Sequence, residues 1–106
     1  MNIYEQLIDT FAPMVQDTFT TYEIKKMVHE KHNTNRSSII PSDYCYNRIN
    51  FGIEFDKHLF VYLSRGKYQY VGENHPYEGI VYQRPSDDTV DSVAGEWKGG
   101  IYKSII

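Results

Sequence analysis

Two neighbouring runs of β-branched and aromatic residues constrain the fold of this chain more than any other feature. The runs HLFVYL and KYQYVG lie on either side of the tripeptide SRG, within residues 58–72. A period of two is typical of strands, and a glycine supplies the positive φ that a tight hairpin turn needs. The sequence therefore predicts a β-hairpin turning at Gly66, with Arg65 and Lys67 at its tip.

Helix signals precede this hairpin. Ile3, Leu7, Ile8 and Phe11 are spaced at i, i+4, i+5 and i+8, which predicts a short amphipathic helix. Proline disfavours helix at the residue before it, so this first helix is expected to end before Pro13.

A second helix has a stronger start signal. Thr20 is a good cap, and Glu23 follows three residues later, as in a capping box. Phe19 and Ile24 occupy the flanking positions of a hydrophobic staple. We expect a helix from about residue 21 to about residue 31, followed by the polar loop HNTNRSS.

The string PSDYCYNRI predicts a third, short helix, with Pro41 in its first turn. On such a helix Tyr44 and Arg48 share one face. Cys45 and Ile49 share the next face and are the better core candidates. Asp43 near the start is expected to cap its own helix.

The C-terminal third is less clearly patterned. GIVYQR predicts an edge strand and PSDDTVDS an acidic loop, while GEWKGGIYKSI predicts either one more strand or a segment that packs Trp97 onto the core. A chain of 106 residues has room for one domain. We expect a core over residues 1–71 and an extension over residues 72–106.

Positive charge is concentrated in the middle of the chain. Residues 1–24 contain four acids and neither Lys nor Arg, whereas residues 25–67 contain eight bases and four acids. The net charge of -3 argues against a generic nucleic-acid binder. The distribution of charge is more informative than the net charge, because it allows a local basic surface.

Other features indicate the compartment. No apolar run approaches the roughly 18 to 20 residues of a membrane span, and the N-terminus lacks the regions of a signal peptide. A single cysteine excludes an internal disulfide and fits a reducing compartment. We expect a cytoplasmic protein that does not contact membranes, and the Tyr, Ile, Asn and Lys content suggests a bacterial or phage gene.

The element order resembles a known family. Helix, helix, short helix and a hairpin with a basic tip resemble a winged helix-turn-helix DNA-binding domain from Ile3 to Val71. The resemblance implies an α+β fold, with three short helices followed by a β-hairpin wing and then a small C-terminal β extension. The string SIIPSDYCYN also resembles an uncharacterised bacterial domain associated with restriction-type nuclease proteins, in which it accompanies a segment like GEW at residues 95–97.

The resemblance implies a small non-enzymatic protein that binds duplex DNA. The helix at residues 41–49 would enter the major groove, while the preceding loop and the wing would contact phosphates. The DNA-contact candidates are Arg36, Ser37, Ser38, Tyr44, Tyr46, Asn47, Arg48, Arg65 and Lys67.

Two other functions remain open. The ten tyrosines suit a protein-interaction module, of restriction-associated or anti-defence type, that binds a partner protein. A homodimer is compatible with either function. A small nuclease subunit is the minor alternative, because the string EWK with an acid from Asp87, Asp88 or Asp91 resembles a restriction-type nuclease core.

Metal and cofactor sites are not expected. His29 and His32 are three residues apart and Cys45 follows, but a structural zinc site usually needs four N or S ligands and the chain has no second cysteine. A cysteine nucleophile needs a neighbouring base, whereas Cys45 is predicted to be buried. We therefore predict no catalytic residue, no metal and no cofactor.

Overall fold

The computed structural model describes residues 1–84 and 91–105, in which it places two α-helices and seven β-strands. The helices are α1 (Ile3–Phe11) and α2 (Thr21–His32). The strands are β1 (Thr18–Thr20), β2 (Arg48–Asn50), β3 (Phe60–Ser64), β4 (Lys67–Tyr70), β5 (Gly79–Arg84), β6 (Ser92–Lys98) and β7 (Ile101–Ser104). Single 3-10 turns occur at Ala12–Met14, Arg36–Ser38 and Pro41–Tyr44.

The first helix begins at a capping box that was not predicted. The Asn2 side chain accepts a hydrogen bond from the Glu5 N–H at 2.8 Å, and the Glu5 side chain accepts one from the Asn2 N–H at 2.9 Å. Two of the orphan donors at the helix start are thereby satisfied. The helix ends at Phe11, which confirms the prediction, and Leu7 and Phe11 are fully buried.

The predicted capping box of α2 is confirmed. The Thr20 hydroxyl accepts from the Glu23 N–H at 3.1 Å, and the Glu23 carboxylate accepts from the Thr20 N–H at 2.8 Å. Ile24 and Val28 are buried on the inner face. The helix ends at His32, because Asn33 adopts a left-handed conformation with φ 56°.

The predicted hairpin is also confirmed. Strands β3 and β4 pair antiparallel, and Gly66 at the turn has φ 75°. The unpredicted strand β1 pairs with β4, so the first sheet has the order β1-β4-β3. The core lies where α1 and α2 pack on this sheet, and Phe11 is its centre, with ring centroids 4.9 Å from Phe19 and 5.7 Å from Tyr70.

The predicted third helix is wrong. Only Pro41–Tyr44 is helical, as a single 3-10 turn, and the chain is extended at Cys45 (φ -96°, ψ 148°) before it enters β2. Long-range bonds explain the difference. The Asn47 side chain donates to the Tyr62 carbonyl and accepts from the Tyr62 N–H, both at 2.8 Å, and these bonds hold the segment against β3.

The winged-helix prediction is therefore wrong as well. That fold has three helices and a hairpin wing, whereas the described residues form two α-helices and two sheets with seven strands. Cys45 is buried as predicted, although an extended chain places it there and not a helix face. Ile49 is half-buried in β2.

The second sheet has the order β2-β5-β6-β7. Strand β2 pairs parallel with β5, so GIVYQR is an inner strand and the edge-strand prediction is wrong. GEWKGGIYKSI forms the β6–β7 hairpin, with left-handed Gly99 and Gly100 at the turn. Strands β5, β6 and β7 of the predicted extension thus share a sheet with β2, a strand from the predicted core.

Most of the predicted acidic loop PSDDTVDS, including Asp87 and Asp88, lies outside the described residues. Within the described ranges, no helix has the length and apolar character to cross a membrane.

Candidate functional site

The predicted DNA-contact residues divide into an exposed group and an enclosed group. The exposed residues are Arg36, Ser37, Ser38, Arg65 and Lys67. The enclosed residues are Tyr44 and Asn47, which are half-buried, and Tyr46 and Arg48, which are buried. The segment predicted to read bases is thus the less accessible part of the predicted surface.

Arg48 makes its contacts inside the protein. It is 8% exposed, and its guanidinium donates to the Asp91 carboxylate at 2.9 Å. Its Cζ atom lies 4.6 Å from the centroid of the Tyr62 ring. A guanidinium with a carboxylate and an aromatic face as partners has its charge and its flat face occupied.

Tyr44 and Asn47 also have structural roles. The Tyr44 ring lies 6.0 Å from the Tyr4 ring, and burial raises the pKa of its hydroxyl. Asn47 forms the two hydrogen bonds to Tyr62 described above. We conclude that the segment at residues 44–48 joins the two sheets.

Three exposed cations and the half-buried Lys25 lie on one side of the molecule, which we call the basic face: Lys25, Arg36, Arg65 and Lys67. Two contacts assemble it. The Thr21 N–H at the start of α2 donates to the Gly66 carbonyl at 3.0 Å, which fixes the hairpin tip against the helix. One helical turn later, the Lys25 ammonium donates to the Arg36 carbonyl at 3.2 Å.

The charge of the basic face is not neutralised locally. None of its four cations forms an ion pair with a described residue. Glu23 lies on the same end of α2, and the hydrogen bond from the Thr20 N–H lowers its pKa and keeps it negatively charged, but it forms no ion pair with these four cations. Ser37 and Ser38 lie beside Arg36 in the same exposed 3-10 turn. The face therefore combines hydroxyl groups with four cations, of which Lys25 is hydrogen-bonded to a backbone carbonyl.

A second candidate site lies at the opposite end of the β3–β4 hairpin. It is a cavity of about 440 Å³, which we call the aromatic cleft. The cleft is lined by Tyr4, Tyr46, Asp56, His58, Glu73, Asn74, His75, Pro76, Trp97 and Gly100. Segments from α1, the loop before β3, the loop after β4 and the β6–β7 hairpin contribute to it.

Tyr46 organises the cleft. It is 3% exposed, and its ring centroid lies 5.2 Å from His58, 5.8 Å from His75 and 5.7 Å from Trp97. Its hydroxyl donates to the Gly72 carbonyl at 2.7 Å and accepts from the His75 N–H at 3.0 Å. The Tyr46 carbonyl accepts from the Trp97 indole N–H at 2.7 Å. The strings SIIPSDYCYN and GEW thus meet at this residue.

His58 has a defined tautomer. Its Nδ1 lies 3.0 Å from the Cys45 carbonyl, which only accepts, so Nδ1 carries the proton and Nε2 is an acceptor. Desolvation by burial lowers the pKa of His58, against the opposing effects of the Cys45 carbonyl and Asp56. The imidazole is therefore neutral at pH 7.

Two carboxylates give the cleft a negative charge. Glu73 accepts from the Tyr4 hydroxyl at 2.7 Å, and Asp56 is exposed at the rim. Burial and the Glu73 carboxylate both raise the pKa of Tyr4 above its usual value. The ammonium of Lys57 lies 5.6 Å from the centroid of the Tyr4 ring, on the edge of the site.

The histidines and the cysteine considered for metal binding or catalysis have other contacts. His29 Nδ1 lies 2.9 Å from the Thr34 carbonyl, and His32 lies 3.0 Å from the Asp9 carboxylate. Burial raises the pKa of the Cys45 thiol, which keeps it protonated. Across residues 1–84 and 91–105 there is no group of three or more His, Cys, Asp or Glu arranged to hold a metal ion.

Comparison with known proteins matches residues 2–104 to a family described as "Domain of unknown function (DUF7225)". The chain belongs to this family. This DUF7225 chain is also 44% identical over 101 residues to "Uncharacterized protein YnaC" of Bacillus subtilis (strain 168). The match covers 95% of the chain but only 38% of that relative. No solved structure matches.

The comparisons confirm that the chain resembles an uncharacterised bacterial domain. They give no evidence of a link to restriction-type nucleases or to winged-helix proteins.

The aromatic cleft of this DUF7225 domain was not predicted. The sequence pattern predicts for Trp97 either a strand position or packing on the core, and it assigns no role to His58 or His75. The signal that could have found the cleft was the joint occurrence of SIIPSDYCYN and GEW, because two segments about 50 residues apart that recur together are candidates for contact.

Proposed function

We propose that this domain binds duplex DNA through the basic face, by contacts to phosphates. The observation that carries the proposal is the convergence of four cationic side chains from three separate segments: Lys25 from α2, Arg36 from the 3-10 turn, and Arg65 and Lys67 from the hairpin tip. Arginine and lysine side chains, together with hydroxyl groups, provide most phosphate contacts in protein–DNA complexes.

The overall charge does not oppose this function. The net charge is -3, but the acids are concentrated in residues 1–24 and after Lys67. At physiological ionic strength charges more than about 8 Å apart are largely screened from each other. A phosphate on the basic face would therefore respond mainly to the four local cations and to Glu23, the acid at the start of α2.

The proposed contacts would not distinguish one DNA sequence from another. The segment at residues 41–49 does not form a helix, and its Tyr46 and Arg48 side chains are buried. Sequence is read by side chains that reach base edges in a groove, whereas phosphate contacts are the same for every sequence. We expect mixed-sequence duplexes of equal length to bind with similar affinity.

The test is fluorescence anisotropy of a labelled mixed-sequence duplex at two salt concentrations. Four neutralised phosphates give a slope of log K against log [salt] of about -3.6, so affinity should fall on the order of 100-fold between about 50 and 200 mM salt. The double variant Arg65→Ala/Lys67→Ala should weaken binding. It should also make the slope less steep, by the amount that two phosphate contacts contribute.

The matched control removes two other exposed cations. Lys98→Ala/Lys103→Ala changes the net charge by the same amount, but these lysines lie on β6 and β7 of the second sheet. Equal losses in the two double variants would show a general charge effect and refute the basic face. A wild-type protein that does not bind at about 50 mM salt would refute DNA binding and favour a partner protein.

A further inference from the structure

We propose that the aromatic cleft is a binding site for an organic cation that carries N–H donors, either a guanidinium or a primary ammonium group. The proposal does not depend on DNA binding, because the cleft and the basic face lie at opposite ends of the β3–β4 hairpin.

The walls of the cleft suit a cation. The half-buried rings of Tyr4 and Trp97 line the cleft, and an aromatic face attracts a positive charge within about 6 Å of the ring centroid. The volume of about 440 Å³ falls within the usual range for small-molecule sites. A ligand inside would lose part of its water shell, which strengthens attraction to both rings and carboxylates.

The polar groups of the cleft favour a positively charged ligand. Among the described residues, the lining includes Asp56 and Glu73 but neither lysine nor arginine. His58 adds a neutral Nε2 acceptor, since its Nδ1 proton is directed to the Cys45 carbonyl. An anion would meet two carboxylates in the lining, with the Lys57 ammonium only at the rim, so the cleft favours a cation over a phosphate or a carboxylate.

The chain already contains an example of the proposed contact. The Lys57 ammonium lies 5.6 Å from the centroid of the Tyr4 ring, at the rim of the cleft. This geometry shows that the Tyr4 face accepts an ammonium group. A ligand that uses the same face competes with Lys57, so removal of this side chain should strengthen ligand binding.

The test uses the single tryptophan of the chain. Trp97 lines the cleft, so its fluorescence should change when a ligand enters. We would titrate with Nα-acetyl-arginine methylamide and with the citrulline analogue, which has nearly the same shape but no charge. We expect saturable binding of the arginine compound, at least about tenfold tighter than the citrulline compound, the factor that corresponds to about 1.4 kcal/mol. Equal affinities, or no saturable change, would overturn the proposal.

Variants assign the binding to the cleft. Glu73→Gln removes the charge but keeps an oxygen that can accept from the Tyr4 hydroxyl, and it should weaken arginine binding several-fold. Glu96→Gln is the matched control, because Glu96 is an exposed acid on β6 outside the cleft lining. Equal effects of the two variants would refute a specific site. Lys57→Ala should tighten binding, and weaker binding in this variant would contradict competition at the Tyr4 face.

Two sources of the cation can be distinguished. Free amines are represented by putrescine, and side chains of a partner protein by the capped arginine compound and its lysine counterpart. Tighter binding of putrescine would indicate a free polyamine, and tighter binding of the capped residues would indicate a protein ligand. Either result supports the site, whereas selective binding of acetate would refute it.

Discussion

The two ends of the β3–β4 hairpin differ in how firmly the surrounding structure holds their polar and aromatic side chains. At the tip, Arg65 and Lys67 are exposed and form no ion pair with a described residue. At the other end, Tyr46, His58 and Trp97 contact one another and are joined by hydrogen bonds to the backbone. The side chains at the tip can therefore change without loss of stability, whereas those at the other end contribute both to stability and to any binding in the cleft.

The largest effect on stability is expected from the loss of the Tyr46 ring. Tyr46→Ala removes a buried aromatic side chain and should lower the free energy of unfolding by about 3–5 kcal/mol. Arg65→Ala at the tip should change it by no more than about 0.5 kcal/mol. Urea unfolding of the two variants, with midpoints and m-values compared to wild type, measures the difference.

A conservative variant separates the ring from its hydroxyl. Tyr46→Phe keeps the aromatic contacts but leaves the Gly72 carbonyl and the His75 N–H without their partner. The expected cost is about 1–3 kcal/mol. If Tyr46→Ala and Arg65→Ala cost the same, the two ends of the hairpin would not differ in the way described.

A change in the second sheet should affect the aromatic cleft but not the basic face. A Cβ atom at Gly95 would lie 2.3 Å from the Lys103 carbonyl oxygen, so β6 and β7 would have to move apart. Gly95→Ala should therefore cost about 1–3 kcal/mol. Because Trp97 follows two residues later on β6, the variant should weaken cation binding in the cleft and leave DNA binding unchanged.

Glu96→Ala is the control for this variant. Glu96 is the next residue on β6 and is exposed, so its loss should have little effect on the stability measured by thermal unfolding. A Gly95→Ala variant as stable as Glu96→Ala would show that the sheet accommodates the methyl group. Equal losses of DNA and cation binding would contradict the independence of the two ends.

Local signals explain which parts of the fold were predicted. The capping box at Thr20 and Glu23 and the glycine at the hairpin turn act within a few residues, and both were read correctly. The segment at residues 41–49 has helix-start signals of the same kind. Beyond the 3-10 turn at Pro41–Tyr44 it is extended, because Asn47 bonds to Tyr62 and β2 pairs with β5. Neither partner is visible in the local pattern.

The same distinction applies to the sites. The exposed cations were predicted because charged side chains are usually exposed, and a basic hairpin tip is evident in the sequence. Arg48 was misplaced because its partner, Asp91, is 43 residues away in the chain. The cleft was missed because Tyr46, His58 and Trp97 approach one another only through the pairing of strands in both sheets.

The smallest expected effect is a pH dependence confined to the cleft. Burial lowers the pKa of His58 in the folded protein below the value near 6.5 of the unfolded chain. Between these two pKa values the unfolded state binds more protons, so stability should fall as the pH falls below about 6.5 and stay constant above it. His58 is partly exposed, so we expect a change of less than about 1 kcal/mol.

The variant His58→Gln isolates this effect, since a glutamine amide can still donate to the Cys45 carbonyl. Asp56, Glu73, His75 and Tyr4 also face the cleft, and these groups are the same in both proteins. The measurement is the difference in unfolding free energy between wild type and variant at about pH 8, 6 and 5. As the pH falls, the wild type should lose stability relative to His58→Gln. Arg65→Ala should show no such trend, because arginine stays charged throughout this range. A wild type that gains stability relative to His58→Gln on acidification would mean that the imidazolium is favoured in the folded state, which would contradict the dominance of burial over the nearby Asp56 carboxylate at His58.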